Sequence, residues 1–214
     1  MKLFACTLCL LALSGVCATI WREYDADFFT RSSDLSAFDA LARGETPGIP
    51  LSSRSLRGMF TTCGAVLQGL TYALQPSDTQ ARVDAACIAM ARQALERNPT
   101  YSAAHTIIMF ASSAPAYITQ SLVLSQMTAP RESWHAKLRL RKGLEFHGTG
   151  EAAVDRALKS DIAFLVQSGD GRAWLARLYQ HDAGSRPVIV TVVDSHPDSE
   201  KAAFVREVRH LGQN

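Results

Sequence analysis

The sequence predicts an all-α fold in which consecutive helices pair antiparallel and stack into an array, an α-solenoid. Three observations carry this expectation. Beyond Trp21, apolar residues recur at steps of three and four almost throughout, the period of a helix with one buried stripe. Breakers at Pro76, Pro99, Pro115, Pro130, Gly148 and Gly169 leave helices of roughly 12 to 20 residues joined by short turns, which sets neighbours side by side and antiparallel. Alanine and leucine are abundant, whereas glycine and proline number only 13 and 8, a composition that favours helix.

The chain opens with an address. Leu3 to Ile20 carry no charge, with Lys2 in front and Arg22 and Glu23 behind. A basic start, an apolar run to Val16 and the small residue Ala18 fit a cleavable signal peptide. An uncleaved anchor fits as well, because Leu3 to Trp21 as a helix rises roughly 28 Å at ~1.5 Å per residue, close to the hydrocarbon thickness. Residues 1–20 are therefore read as signal peptide or N-terminal membrane anchor, and either exports the remainder. The C-x-x-C of Cys6 and Cys9 lies inside this apolar segment and has no redox context there. Cys63 and Cys87 remain as an even pair in a chain bound for an oxidising compartment.

Residues 21–52 hold two short predicted helices, Trp21 to Phe29 and Asp34 to Arg43, then a linker from Glu45 to Ser52 with Pro47, Gly48 and Pro50. Residues 53–214 form the predicted main domain. Its first helix places Leu56, Met59, Phe60, Cys63, Val66, Leu67, Leu70 and Leu74 on one stripe and stops at Gln75-Pro76. Ser77 is the expected cap of the next, which carries Val83, Cys87, Met90, Ala91, Ala94 and Leu95 up to Asn98-Pro99. These two form a hairpin. Cys63 and Cys87 lie at similar distances from its turn among small neighbours, which suits a disulfide.

Further helices are predicted over 100–112, from Pro115 to about Ser125, and over 131–146, 151–167 and 171–181, with Pro115 at a first helical position. Asp170 reads as a helix cap, and Trp174 and Tyr179 as core. Pro187 to Val193 is β-branched nearly throughout, a strand composition; no second such run exists to pair with it, so it reads as a short buried helix opened by Pro187. The last helix, 197–211, is opened by Ser195 with Asp198 and closed by Gly212.

The segment Cys87-x-x-x-Ala91-x-x-Ala94-Leu95-x-x-x-Pro99 resembles the second helix of a tetratricopeptide repeat, where small residues let two helices approach and a proline ends the unit. Asn98 to Ala104 resembles the junction to a following repeat, and Pro99 and Pro130 stand close to one repeat length of about 34 residues apart. The resemblance covers Asp78 to Pro130, without the tryptophan, leucine-glycine and tyrosine of a standard first helix. An exported leader followed by an alanine-rich helical array with Ala129-Pro-Arg-Glu-x-Trp134 also resembles small envelope proteins of alphaproteobacteria associated with polysaccharide production. The resemblance implies a tetratricopeptide-like scaffold that presents a groove to a protein or a chain-like polymer.

The chemistry is sparse. The sequence contains no H-E-x-x-H, G-x-S-x-G, P-loop or dinucleotide glycine fingerprint. The six histidines are scattered, none with another histidine at i+3 or i+4, so no metal site and no cofactor are expected. Glu151 beside Gly148-Thr149-Gly150 reads as an acid at a helix start. Lysine plus arginine exceed aspartate plus glutamate by only 22 to 20, which argues against a nucleic-acid partner. Positive charge is dense in one place. Arg131, His135, Arg139 and Lys142 fall at i, i+4, i+8 and i+11 of one predicted helix, a stripe for docking an anionic partner or an ordinary solvated face.

These readings predict a non-enzymatic adaptor or scaffold of the bacterial cell envelope, periplasmic, secreted or anchored to the inner membrane facing the periplasm. Its expected partners are an envelope protein complex or an anionic polymer, and the membrane itself if the leader is uncleaved. The alternative is a hydrolase or lyase acting on cell-wall or exported polysaccharide, which requires paired carboxylates.

Overall fold

A computed structural model describes residues 2–213, with side chains from residue 12 onward. Every regular element among them is helical. Met1 and the side chains of residues 2–11, which include Cys6 and Cys9 and much of the expected leader, lie outside the described part. The chain divides into two compact units, Met1–Pro99 and Thr100–Asn214. The boundary between the units, after Pro99, falls inside the region 53–214 and inside the segment that resembles a tetratricopeptide repeat.

The first unit contains α1 (Lys2–Arg31), α2 (Asp34–Ala42), α3 (Ser53–Gln68), the single turn α4 (Leu70–Ala73) and α5 (Ser77–Arg97). Helix α1 is continuous from Lys2 to Arg31, so it runs from the apolar N-terminal segment into the folded unit, where Ala26 and Phe29 are buried. Ser33 caps α2 by accepting from the Ser36 N–H. Helix α3 packs on α1, and α2 packs on α3 and α5.

Two expectations are corrected here. The segment 45–52 is not a free linker. The Gly48 N–H donates to Asp25 at 3.1 Å, the Leu51 and Ser52 N–H groups donate to Glu23 Oε1 at 2.5 and 2.7 Å, and Arg97 donates to the Ile49 carbonyl. Backbone groups that water would otherwise satisfy are held by α1 and α5 instead. Helix α3 does not reach Leu74 either. Gly69 takes an extended conformation, φ −75° and ψ 151°, which ends the helix and leaves Leu70 and Leu74 74% and 73% exposed.

Cys63 of α3 and Cys87 of α5 are fully buried and bonded to each other, with Cα atoms 6.3 Å apart at a sequence separation of 24. The separation lies within the range that disulfides span. The bond ties the two helices together across the core of the unit.

The second unit contains α6 (Ser102–Ala111), α7 (Pro115–Thr128), α8 (Ser133–Gly143), a 3₁₀ turn (Leu144–Phe146), α9 (Ala152–Val166), α10 (Gly169–His181), a second 3₁₀ turn (Ala183–Ser185), α11 (Arg186–Asp194) and α12 (Asp198–Leu211). Helix α9 is the hub, packed by α7, α8, α10 and α11 through Val154, Leu158, Ile162 and Leu165. The packing of α6 on α8, α7 on α9, α9 on α11 and α10 on α12 recurs down the unit. The β-branched run is helical, with Pro187 in the first turn of α11 and Val188, Ile189, Val192 and Val193 buried; these positions share one helix face, and tertiary burial outweighs strand propensity. Trp174 and Tyr179 are half-buried against the same core.

Some caps differ from expectation. Ser168 rather than Asp170 caps α10, accepting from the Gly171 N–H, and Asp170 instead pairs with Lys137 of α8 at 2.5 Å. Pro76 rather than Ser77 precedes α5, and Pro197 precedes α12. Ser195 turns its hydroxyl back to the Val192 carbonyl.

Candidate anion-binding cleft

The expected anionic-partner stripe is largely not on the surface. Arg131 lies in the turn before α8 and is exposed, and Lys142 is half-buried and paired with Glu145. His135 is 5% exposed, with Nδ1 3.1 Å from Glu132, and Arg139 is 0% exposed. The face of α8 that carries His135, Ala136, Arg139, Leu140 and Gly143 is its core face. The stripe is therefore corrected: Arg139 is an interior residue, and its counter-charge sits on another helix.

That counter-charge is Asp161 of α9. Arg139 donates to its two oxygens at 2.7 Å from Nε and 2.6 Å from Nη2, a bidentate pair with both side chains fully buried. Nη1 donates to Ser125 of α7 at 3.0 Å, and Nη2 to the Ala129 carbonyl. Ser125 in turn lies 2.7 Å from the Thr106 hydroxyl and 3.2 Å from that of Ser102, both on α6. Burial pushes the Asp161 carboxyl up, against the pull of Arg139. Four helices thus meet on one satisfied polar network, which is a structural device.

Besides His135, two histidines have carboxylate partners that the sequence reading missed. His147 Nδ1 lies 2.7 Å from Asp155, which also accepts from the Gly148 N–H. Gly148 and Gly150 have φ of +75° and +99°, a left-handed backbone suited to glycine. The Gly148 N–H, ahead of the opposing effect of burial and with help from His147, holds the Asp155 carboxyl below the usual range. His196 pairs with Glu200 one turn into α12. Among the described residues no three metal-ligating side chains converge.

A concave surface lined mostly by polar and charged residues lies in the first unit, between α1 and α3. One cleft of about 520 Å³ is lined by Asp27, Thr30, Arg31, Arg54, Ser55, Arg57, Gly58, Thr61 and Thr62. A second, lined by Thr19, Ile20, Glu23, Tyr24 and again Asp27, Arg31, Arg54 and Ser55, continues it along α1. Gly58 is what lets α3 come close, since a Cβ there would stand 2.7 Å from the Thr30 methyl.

The electrostatics of this cleft follow from who is already engaged. Burial alone would push the Glu23 carboxyl up. Hydrogen bonds from the Ser52 N–H, the Ser55 and Ser52 hydroxyls and the Leu51 N–H outweigh it and hold Glu23 below the usual carboxylate range. Asp27 pairs with Arg31 at 2.8 Å, one helical turn away. Arg54 and Arg57, both exposed, form no ion pair among the described residues. Three guanidinium groups thus face a cleft whose two carboxylates are both occupied, beside the serine and threonine hydroxyls of α3.

No family model matches the chain, and no curated protein or solved structure matches it.

The sequence offered one signal for this cleft, Arg54 and Arg57 three residues apart at the start of α3. Their convergence with Arg31 and Glu23 depends on α1 and α3 packing together, which no local pattern specifies. The second unit carries a smaller groove of about 340 Å³, lined by Tyr179, Val190, Val193, Phe204, Val205 and Val208 and edged by Asp194 and Arg209.

Proposed function

We propose that this chain is an exported, non-enzymatic helical adaptor of the bacterial cell envelope, linked to polysaccharide production or export, and that it holds an anionic group of its partner in the α1–α3 cleft. The observation that carries the reading is the pair Arg54 and Arg57 beside Arg31, charged, exposed and without carboxylate partners among the described residues. Guanidinium forks match the planar geometry of carboxylates and phosphates. The buried Cys63–Cys87 bond supports maturation in an oxidising compartment. Packing of α6 on α8, α7 on α9, α9 on α11 and α10 on α12 in the second unit supports a tetratricopeptide-like stack.

The rival reading, a polysaccharide hydrolase or lyase, needs one carboxylic acid able to give a proton and a second carboxylate across the substrate. Glu23 and Asp27, the carboxylates of this cleft, sit on one helix and are both committed, one to backbone N–H groups and one to Arg31. The geometry favours binding.

The test is affinity capture from membranes with a tag after Asn214, comparing the native chain with Arg54→Gln/Arg57→Gln. A defined envelope complex or acidic polymer that is retained by the native chain and lost by the variant is the expected result. Identical capture by both would overturn the assignment of the cleft.

A further inference from the structure

The outer face of α1 is apolar where a folded unit ordinarily presents polar groups. Ile20, Trp21, Tyr24 and Phe28 are 62%, 69%, 63% and 67% exposed. Ile20, Tyr24 and Phe28 repeat at four-residue steps, so they form one stripe, with Trp21 beside them. Leu13 and Val16 extend it toward the N-terminus. The opposite face, through Ala26 and Phe29, is the one packed into the unit.

This stripe and the arginine cleft are one surface. Ile20 and Tyr24 line the same continuous cleft as Arg54 and Arg31. A helix lying flat with apolar and aromatic residues on one side and cationic groups along its flank is the pattern of an interfacial helix, with tryptophan and tyrosine at headgroup depth. We infer that the α1–α3 face docks on an anionic phospholipid surface, with Ile20, Trp21, Tyr24 and Phe28 entering the interface and Arg54 and Arg57 gripping headgroup phosphates. The inference rests on the adaptor reading of the cleft and names its partner.

An acidic polymer satisfies the arginines but leaves the apolar stripe in water. The stripe runs along one helix, with Ile20 and Tyr24 at the edge of the arginine cleft, so its apolar and cationic groups meet a bilayer surface together, as an interfacial helix does. Ile20, Trp21, Tyr24, Phe28 and all three arginines follow Ala18, so cleavage of the leader after that residue would remove only the extension through Leu13 and Val16 from the docking face.

The experiment is co-sedimentation of the full chain with vesicles of phosphatidylcholine alone and with added phosphatidylglycerol, at low and high salt. The native chain is expected to prefer the anionic vesicles, with the preference lost at high salt. Arg54→Gln/Arg57→Gln is expected to reduce that preference about 25-fold, roughly fivefold per arginine. Tyr24→Ser/Phe28→Ser is expected to weaken binding to both vesicles while the preference persists. Tryptophan emission is expected to shift to shorter wavelength on binding, and Trp21→Phe to remove most of the shift.

Equal binding to both vesicles, or an arginine variant with the native preference, overturns the inference. Inorganic phosphate at matched ionic strength separates the sources: binding of phosphate to the cleft without any vesicle preference makes it a free-anion site. Arginine-dependent retention of alginate or of an envelope complex, again without vesicle preference, overturns the lipid partner and leaves the adaptor standing. If Arg54 and Arg57 affect none of these, both readings fall.

Discussion

Arg139 of the second unit and the pair Arg54 and Arg57 of the first lie in opposite environments. In the second, Arg139 is sealed in the core, with Asp161, Ser125 and the Ala129 carbonyl arranged around its guanidinium. In the first, Arg54 and Arg57 stand at an open cleft, and the core is held by the Cys63–Cys87 bond. The same side chain therefore does structural work in one unit and is free to bind in the other. The difference lies in whether a neighbouring helix supplies a carboxylate: α9 supplies Asp161, whereas the carboxylates of α1 are already engaged.

The comparison breaks most sharply at the buried pair. Asp161→Ala leaves Arg139 charged and unmatched in the interior, so it is expected to cost about 3–5 kcal/mol in urea unfolding, and Arg139→Met/Asp161→Leu is expected to recover most of that loss. Limited proteolysis should show the damage in fragments after Thr100. Equal destabilisation by the single and double variants would contradict a charge-pairing role.

Next in size is the covalent tie of the first unit. Cys63→Ala/Cys87→Ala is expected to lose roughly 3 kcal/mol by the chain-entropy argument for a loop of this length, with early proteolysis before Pro99. Intact mass after alkylation in denaturant without reductant checks the bond directly, since its presence leaves Cys63 and Cys87 unlabelled.

A smaller effect comes from the carboxylate that pins segment 45–52. Glu23→Gln is expected to cost about 1 kcal/mol near neutral pH, through weaker hydrogen bonds to the Leu51 and Ser52 N–H groups. The folded-state pKa of Glu23 lies below its unfolded value, so its contribution is present above about 4.3 and is lost as pH falls through the depressed value. The stability difference between native and variant should therefore shrink on acidification, as read by melting temperature against pH. A constant difference across that window would remove Glu23 from the account.

The smallest effect is expected at the exposed remnants of the predicted stripe. Arg131→Gln/Lys142→Gln removes one exposed charge and one surface pair with Glu145, and should change stability by less than about 0.5 kcal/mol. A larger loss on chemical denaturation would give that turn a role it lacks here.

Much of the fold was legible because helix periodicity and breakers are local. The stripes of α3, α5 and α9, the start of α7 at Pro115 and the helix of the Val188 to Val193 run could be read directly. The pairing of Cys63 with Cys87 followed from one hairpin. The early end of α3 at Gly69 was less legible, since an apolar spacing that continues to Leu74 gives no sign that the backbone turns extended. The same holds for 45–52, whose prolines and glycine signal a loop, while its attachment depends on Glu23, Asp25 and Arg97 from distant parts of the chain.

What the sequence determined by itself, then, was helical class, most helix positions and the disulfide, each set by spacing within a few turns of chain. Which charges lie inside was decided by tertiary structure alone. Arg139, between Leu138 and Leu140, and Arg54, between Ser53 and Ser55, are each a single arginine on a helix, and neither local setting supplies a counter-charge. Burial of a charge depends on whether a counter-charge arrives from elsewhere in the fold to offset its desolvation. Asp161 arrives at Arg139, and among the described residues no carboxylate arrives at Arg54.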